Sequence, residues 1–277
     1  MQIKLTTLSE NTAGRIGLLA EWGISILVKM DNYKVLLDTG LGISAAHNAA
    51  IMGIDLAEVD KIVISHGHRD HTGGLRHVLE VMRKEIEIIA HPDIWAPKYS
   101  RTFSSQEQYA GIPFAREALE SLGASFTLTR EPVWITNNIV TTGEIPMHTE
   151  YEAIDSALYV KEDGVLCPDP LRDDLALIIK TEVGLIVILG CAHRGMINTL
   201  HHAQKLTGEE RIHMVIGGTH LIGASREQID LSVAELKQLG VQRLGVSHCT
   251  GLPAASILSA EFGESFFFNN AGRSITI

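Results

Sequence analysis

Apolar positions in this chain come in short runs that stop abruptly at polar, glycine or histidine residues, the pattern of strands opening into loops. Gly23-Ile24-Ser25-Ile26-Leu27-Val28-Lys29-Met30 and Tyr33-Lys34-Val35-Leu36-Leu37-Asp38, parted by Asp31-Asn32, predict a hairpin whose second strand ends at Asp38-Thr39-Gly40. The opening residues to Leu8 read as a further strand, Gly42 to Met52 as a helix, and Lys61 to Ser65 as a strand. Helical spacing returns over Leu75 to Arg83 and Pro113 to Leu122, with strands near 87–90, 125–129 and 139–142. Between Asp93 and about Gly111 the pattern breaks down. Trp95, Pro97, Tyr99, Phe103 and Tyr109 lie there among polar residues, which we read as a lid or substrate wall, with ordinary surface packing as the alternative.

The second half repeats one theme three times. A hairpin at 175–180 and 185–189 ends in Gly190-Cys191-Ala192-His193 before a helix from Met196 to Leu206. The strand at 212–216 ends in Gly217-Gly218-Thr219-His220 before a helix from Arg226 to Leu239. The strand at 241–247 ends in His248-Cys249-Thr250-Gly251, with a short helix from Pro253. Successive strands therefore deliver histidines to one edge, where α/β proteins collect their site residues. The periods differ, so this is no solenoid repeat.

Composition narrows the class. With 277 residues, 45% of them hydrophobic, the chain can bury a large core as one domain or two internal halves. No apolar run spans a bilayer and the first residues lack a secretory signal. Three scattered cysteines form no disulfide framework, so a reducing cytoplasm is the expected location. A formal charge of −10 and the lack of a basic block argue against nucleic-acid binding.

The chemistry concentrates in His66-Gly67-His68-Arg69-Asp70-His71, directly after the strand ending at Ser65. Four metal-ligating side chains within six residues suit two neighbouring cations, and Gly67 is expected to let the backbone turn sharply. The His66-x-His68-x-Asp70-His71 cluster, preceded by Asp38-Thr39-Gly40 and followed by His193 and His248, resembles the metallo-β-lactamase superfamily over nearly the whole chain. That resemblance implies an α/β (α+β) four-layer αββα sandwich, a single domain over 1–277, and two divalent metal ions, most naturally zinc, with iron or manganese as alternatives. Within the superfamily, Gly190-Cys191-Ala192-His193-Arg194-Gly195, Gly217-Gly218-Thr219-His220-Leu221 and His248-Cys249-Thr250-Gly251 look like one branch. It is similar to the methanopterin-pathway synthase that joins a dihydropterin diphosphate to a ribofuranosylaminobenzene phosphate. Many members of that branch are named only as hydrolases.

By this resemblance His66, His68 and His193 hold one metal, and Asp70, His71 and His248 the other. Asp70 also belongs to the catalytic set, and a metal-bound hydroxide is the nucleophile. The chain departs from the superfamily where Cys191 stands in place of the usual bridging aspartate. Either its thiolate ligates, favouring zinc, or His193 supplies the coordination and Cys191 lines the site. His148 is a competing third ligand for the first metal. Asp38 is expected to accept a hydrogen bond from a ligating imidazole, or else to cap a strand-end turn. His220 is a candidate general acid, or a histidine bonded to backbone. Arg194 and Lys98 are candidates for holding an anionic substrate group, and Gly217-Gly218 for admitting a phosphate. Cys249 reads as a buried small side chain, and His201 and His202 as helix-surface residues. The expected function is hydrolysis of a phosphate ester or related anionic small molecule. The pterin-pathway transferase and a non-catalytic metal sensor are the alternatives.

Overall fold

A computed structural model describes residues 2–101 and 106–277. Its first strands are β1 (Ile3–Ser9), β2 (Ser25–Met30) and β3 (Tyr33–Leu37), with β2 and β3 antiparallel and Met30 opposite Tyr33. Then come α1 (Ser44–Ile51), β4 (Lys61–Val63), α2 (Arg69–Thr72), α3 (Leu75–Met82) and β5 (Ile86–Ala90). They are followed by β6 (Lys98–Ser100), β7 (Gln108–Tyr109), α4 (Arg116–Glu120), β8 (Ala124–Leu128) and β9 (Ile139–Thr141). The remainder comprises β10 (Leu158–Glu162), β11 (Val165–Pro168), β12 (Ala176–Thr181), β13 (Gly184–Leu189), α5 (Met196–Thr207) and β14 (Ile212–Gly218). Last are α6 (Arg226–Gln238), β15 (Arg243–Ser247), α7 (Leu252–Phe262), β16 (Phe266–Phe268) and β17 (Ser274–Thr276).

The chain divides into two compact units that interleave along the sequence. Met1–Thr129, Ser156–Asp169 and Asn270–Ile277 form one, and Arg130–Asp155 with Pro170–Asn269 the other. In the first unit a seven-stranded sheet runs β17-β1-β2-β3-β4-β5-β8. Pairing is antiparallel as far as β3 and parallel from β3 through β4 and β5 to β8. Parallel neighbours need crossovers, which α1, α3 and α4 help to make. Leu36, Ile62, Ile64 and Ile88 pack with Ala45, Ala49, Leu75, Val78 and Leu79 on the helical side. The alternate residues Val35, Leu37, Val63 and Ile89 are also buried, which is why these strands read as unbroken apolar runs. Because β3 and β4 are parallel, Asp38 and Ser65 emerge at the same end of the sheet.

The region expected to be an irregular lid over 93–111 is different in its described part. Lys98 in β6 pairs with Val160 in β10, giving a small antiparallel sheet of order β11-β10-β6-β7. Its aromatic residues pack on neighbours: Trp95 stands edge-on to Phe126 at 5.3 Å and Tyr99 to Tyr109 at 5.6 Å. Phe103 lies outside the described residues. The β10–β11 hairpin escaped the sequence reading because half-exposed positions blur its alternation.

The second unit holds a six-stranded sheet, β16-β15-β14-β13-β12-β9, antiparallel from β9 to β13 and parallel from β13 to β16. Helices α5, α6 and α7 bury Ile197, Leu200, Ile229, Val233, Leu236 and Leu258 in one cluster with Ile178, Val187, Val215 and Leu244. The parallel run aligns the ends of β13, β14 and β15, so the three histidine-bearing loops leave one edge. Helix α7 has eleven residues, more than the short helix expected there, with Pro253 tolerated in its first turn. No helix among the described residues is long and apolar enough to cross a membrane.

Candidate metal centre

In the first unit a single carboxylate organises the histidine cluster. Asp38, fully buried and in the left-handed backbone region at φ 56°, follows β3. Its Oδ1 accepts from the Ser65 amide at 2.7 Å, and its Oδ2 lies 2.7 Å from both Ser65 Oγ and His71 Nδ1. Ser65 Oγ also lies 2.9 Å from His66 Nδ1. The consistent proton arrangement has His66 donating to Ser65, Ser65 to Asp38, and His71 to Asp38. With Nδ1 of both rings engaged, Nε2 is the atom each could offer to a metal.

The other donors close around these rings. His66 and His68 meet edge-on at 4.7 Å between centroids, His66 and His71 lie at 4.1 Å, and an Asp70 oxygen is 3.8 Å from His71 Nε2. Burial, reinforced by Lys98 and opposed by Asp70, holds His68 down to about 3, so it is neutral at physiological pH. Neutral imidazole is the ligating form, and three such rings with one carboxylate suit a divalent cation. Gly67 does not serve a sharp turn of positive φ. A Cβ there would stand 2.4 Å from the Ile94 carbonyl oxygen, so the residue is needed for close approach.

The second unit carries its own donors. Cys191, His193 and His220 offer ligand atoms within 4.8 Å of one another, as do Cys191, His248 and Cys249. Ala192, His220 and His248 each take positive φ, at 54°, 49° and 53°, where strands turn into loops. Burial opposes protonation of His220, but Asp155, 3.9 Å from its Nε2, and Cys249 raise it to about 10. Burial pushes the Cys249 thiol up, yet its contact with Cys191 and the charges of His248 and His220 bring it well below its ordinary value. Gly217-Gly218 is filled by protein rather than open to a phosphate. A Cβ at Gly218 would meet the Gly190 oxygen at 2.4 Å and Cys249 Sγ at 2.7 Å, and the Gly218 amide already donates to Gly190.

Three expected residues occupy other roles. Arg194 donates from Nε to the Ile145 carbonyl and from Nη1 to the Pro170 carbonyl, each at 2.6 Å, so its guanidinium ties loops together. Lys98 is buried and pairs with Asp169 at 2.8 Å, its charge matched within the protein beside His68. His148 is exposed and lies in none of the ligand clusters among the described residues, although its amide donates to Asn198. His201 and His202 lie on α5, bonded to Glu235 and to the Thr142 carbonyl.

Several supporting groups escaped the sequence reading. Ser65 is one, legible only as the residue between a strand and a histidine. Glu152 is another: its oxygens accept from the Ile197 and Asn198 amides at 2.8 and 2.9 Å, capping α5 just beyond His193. Asp174, buried, accepts from the Arg194 amide at 2.9 Å. Burial therefore raises its carboxyl to about 7.

The family model of the metallo-beta-lactamase superfamily matches residues 24–165, and the chain belongs to that superfamily. Its mixed α/β architecture is that of the family. Over 99% of its length it is 34% identical to a 7,8-dihydropterin-6-methyl-4-(beta-D-ribofuranosyl)-aminobenzene-5'-phosphate synthase of Methanocaldococcus jannaschii, covering 96% of that protein. A second protein of that organism, uncharacterized, is 32% identical over 98% of both chains. A solved metal-dependent hydrolase of the beta-lactamase superfamily superposes with a TM-score of 0.84 at 30% identity, over 99% of this chain and 98% of that one. The named relatives are enzymes, and they divide between synthase and hydrolase.

Two outcomes are expected. Asp38→Asn replaces one of the two acceptor oxygens by a donor, so zinc affinity should fall about 10- to 100-fold with the fold retained, as read by competition with a chelating dye. Asp174 keeps a proton in the folded chain that it loses when unfolded. Stability in metal-free protein should therefore fall as pH rises from about 4 through about 7, and Asp174→Asn should abolish that fall in urea midpoints.

Proposed function

We propose that the chain is a metal-dependent hydrolase of a phosphate ester or related anionic small molecule. The observation carrying this reading is the buried network in which His66 reaches Asp38 through Ser65 and His71 bonds Asp38 directly, leaving two Nε2 atoms for a metal beside His68 and Asp70. Membership of the superfamily and the 30% identical hydrolase support it. The proposed ligands are His66, His68, Asp70 and His71, and separately Cys191, His193 and His248. Divalent ions, most naturally zinc, would supply Lewis acidity and a water acidified toward neutrality. Arg194 and Lys98 are engaged by carbonyls and by Asp169, so recognition of the anion falls to bound cations and backbone amides. Neither a nucleic acid nor a membrane is proposed as partner, and three cysteines too few and scattered for a disulfide framework suit a reducing cytoplasm.

His220 is the proposed proton donor to the leaving oxygen. Asp155 and Cys249 keep it charged through neutral pH, and its proton is lost only as pH rises through about 10. A second reading has one specific support, the 34% identity to the pterin-product synthase over the full length. There the same ions would neutralise a diphosphate leaving group while an aromatic nucleophile attacks.

His68→Ala and Asp70→Ala should lower bound metal and turnover together, measured by elemental analysis and rate on the same preparations; unchanged stoichiometry in both overturns the ligand set. Phosphodiesters, phosphomonoesters and dihydropterin diphosphate with its aromatic acceptor should be offered in parallel. Product from the pterin pair alone would replace hydrolysis by transfer. His220→Gln should reduce kcat by roughly 100-fold or more and remove the alkaline limb of the pH profile.

A further inference from the structure

Cys249 is not among the ligands named so far, yet its surroundings are those of a ligand. Its sulfur, the Cys191 sulfur and a ring nitrogen of His248 lie within 4.8 Å of one another, all three residues buried. Cys249 Sγ accepts from the His220 amide at 3.3 Å and lies 3.5 Å from the Cys191 carbonyl oxygen. Gly218 keeps room for it, since a Cβ there would stand 2.7 Å from the sulfur. A backbone amide aimed at sulfur stabilises the electron-rich form that binds metal, as outer hydrogen bonds do for other ligands. The left-handed turn at His248 sets the histidine and the next residue's sulfur on one cluster despite their adjacency.

We propose that Cys191, His248 and Cys249 form a two-sulfur, one-nitrogen binding set for a thiophilic divalent ion, with Cys249 as an actual ligand. The proposal rests on the metal-dependent reading and deepens it by naming the ion class. Two thiolates select zinc, cobalt or cadmium and discriminate against magnesium and manganese, whose preferred ligands are oxygen. Any of the two thiols still protonated gives up its proton to solvent as the metal–sulfur bond forms.

The test is cobalt titration of the full-length protein under reducing conditions. Visible ligand-field absorption reports any bound cobalt, and near-ultraviolet sulfur-to-metal charge transfer reports thiolate ligation. The unmutated protein should show both. Cys249→Ser and Cys191→Ser should each lose about half of the charge-transfer intensity, and the double variant all of it, while histidine-bound cobalt keeps its visible bands. Full charge-transfer intensity in Cys249→Ser overturns the proposal but leaves the metal reading intact. Absence of visible bands in the unmutated protein overturns both. Cadmium magnetic resonance of the unmutated protein needs no variant to fold: a shift in the two-sulfur range supports the set, and one in the range of one sulfur or none rejects it.

Discussion

The buried carboxylate of Asp38 is the constraint on which the first ligand set depends. It receives an amide, a hydroxyl and an imidazole at 2.7 Å each. Removing one partner of such a buried, charged network costs about 3–5 kcal/mol because the rest is left unanswered. The same bonds fix which nitrogen of His66 and of His71 is left to offer a metal. One side chain thus couples the end of β3, the end of β4 and the start of α2, and makes local stability and ligand orientation a single property.

Backbone strain follows the same places. Asp38, Ala192, His220 and His248 are non-glycine residues of positive φ, and each sits where a strand gives way to a site loop. Such conformations cost of order 1–3 kcal/mol apiece and persist only where the surroundings over-determine them. The surroundings here are visible: Asp38 is pinned by Ser65, the loop after Ala192 by Glu152 and Asp174, and His220 by the sulfur of Cys249. Replacing these residues by glycine would relieve strain and lose the side chain or the rigidity that aims its neighbours.

Much of this was legible in the sequence because strands buried on both faces read as unbroken apolar runs whose ends are unmistakable. Each such end carried the histidine or aspartate that the structure places at a sheet edge. What could not be read were groups whose role depends on distant segments. Ser65 is an ordinary strand-end serine until Asp38 is beside it. Lys98 and Arg194 looked like substrate-facing cations because sequence shows charge without its partner; Asp169 is 71 residues from Lys98. The β6–β10 pairing hid in aromatic, half-exposed segments, where period-two alternation is weakest.

The fate of those cations bears on specificity. With Lys98 held by Asp169 and Arg194 by two carbonyls, the protein commits two basic side chains near its ligand sets to its own architecture. An acidic chain of net charge −10 offers anions little long-range attraction, so any anion bound here would have to be held by short-range contacts rather than by steering. Coordination rewards oxygen atoms that displace water from a cation, and it is indifferent to the remainder of the molecule. Similarity to both a named synthase and a named hydrolase means that the shared architecture does not by itself choose the reaction, which lies in the groups placed around the sheet ends.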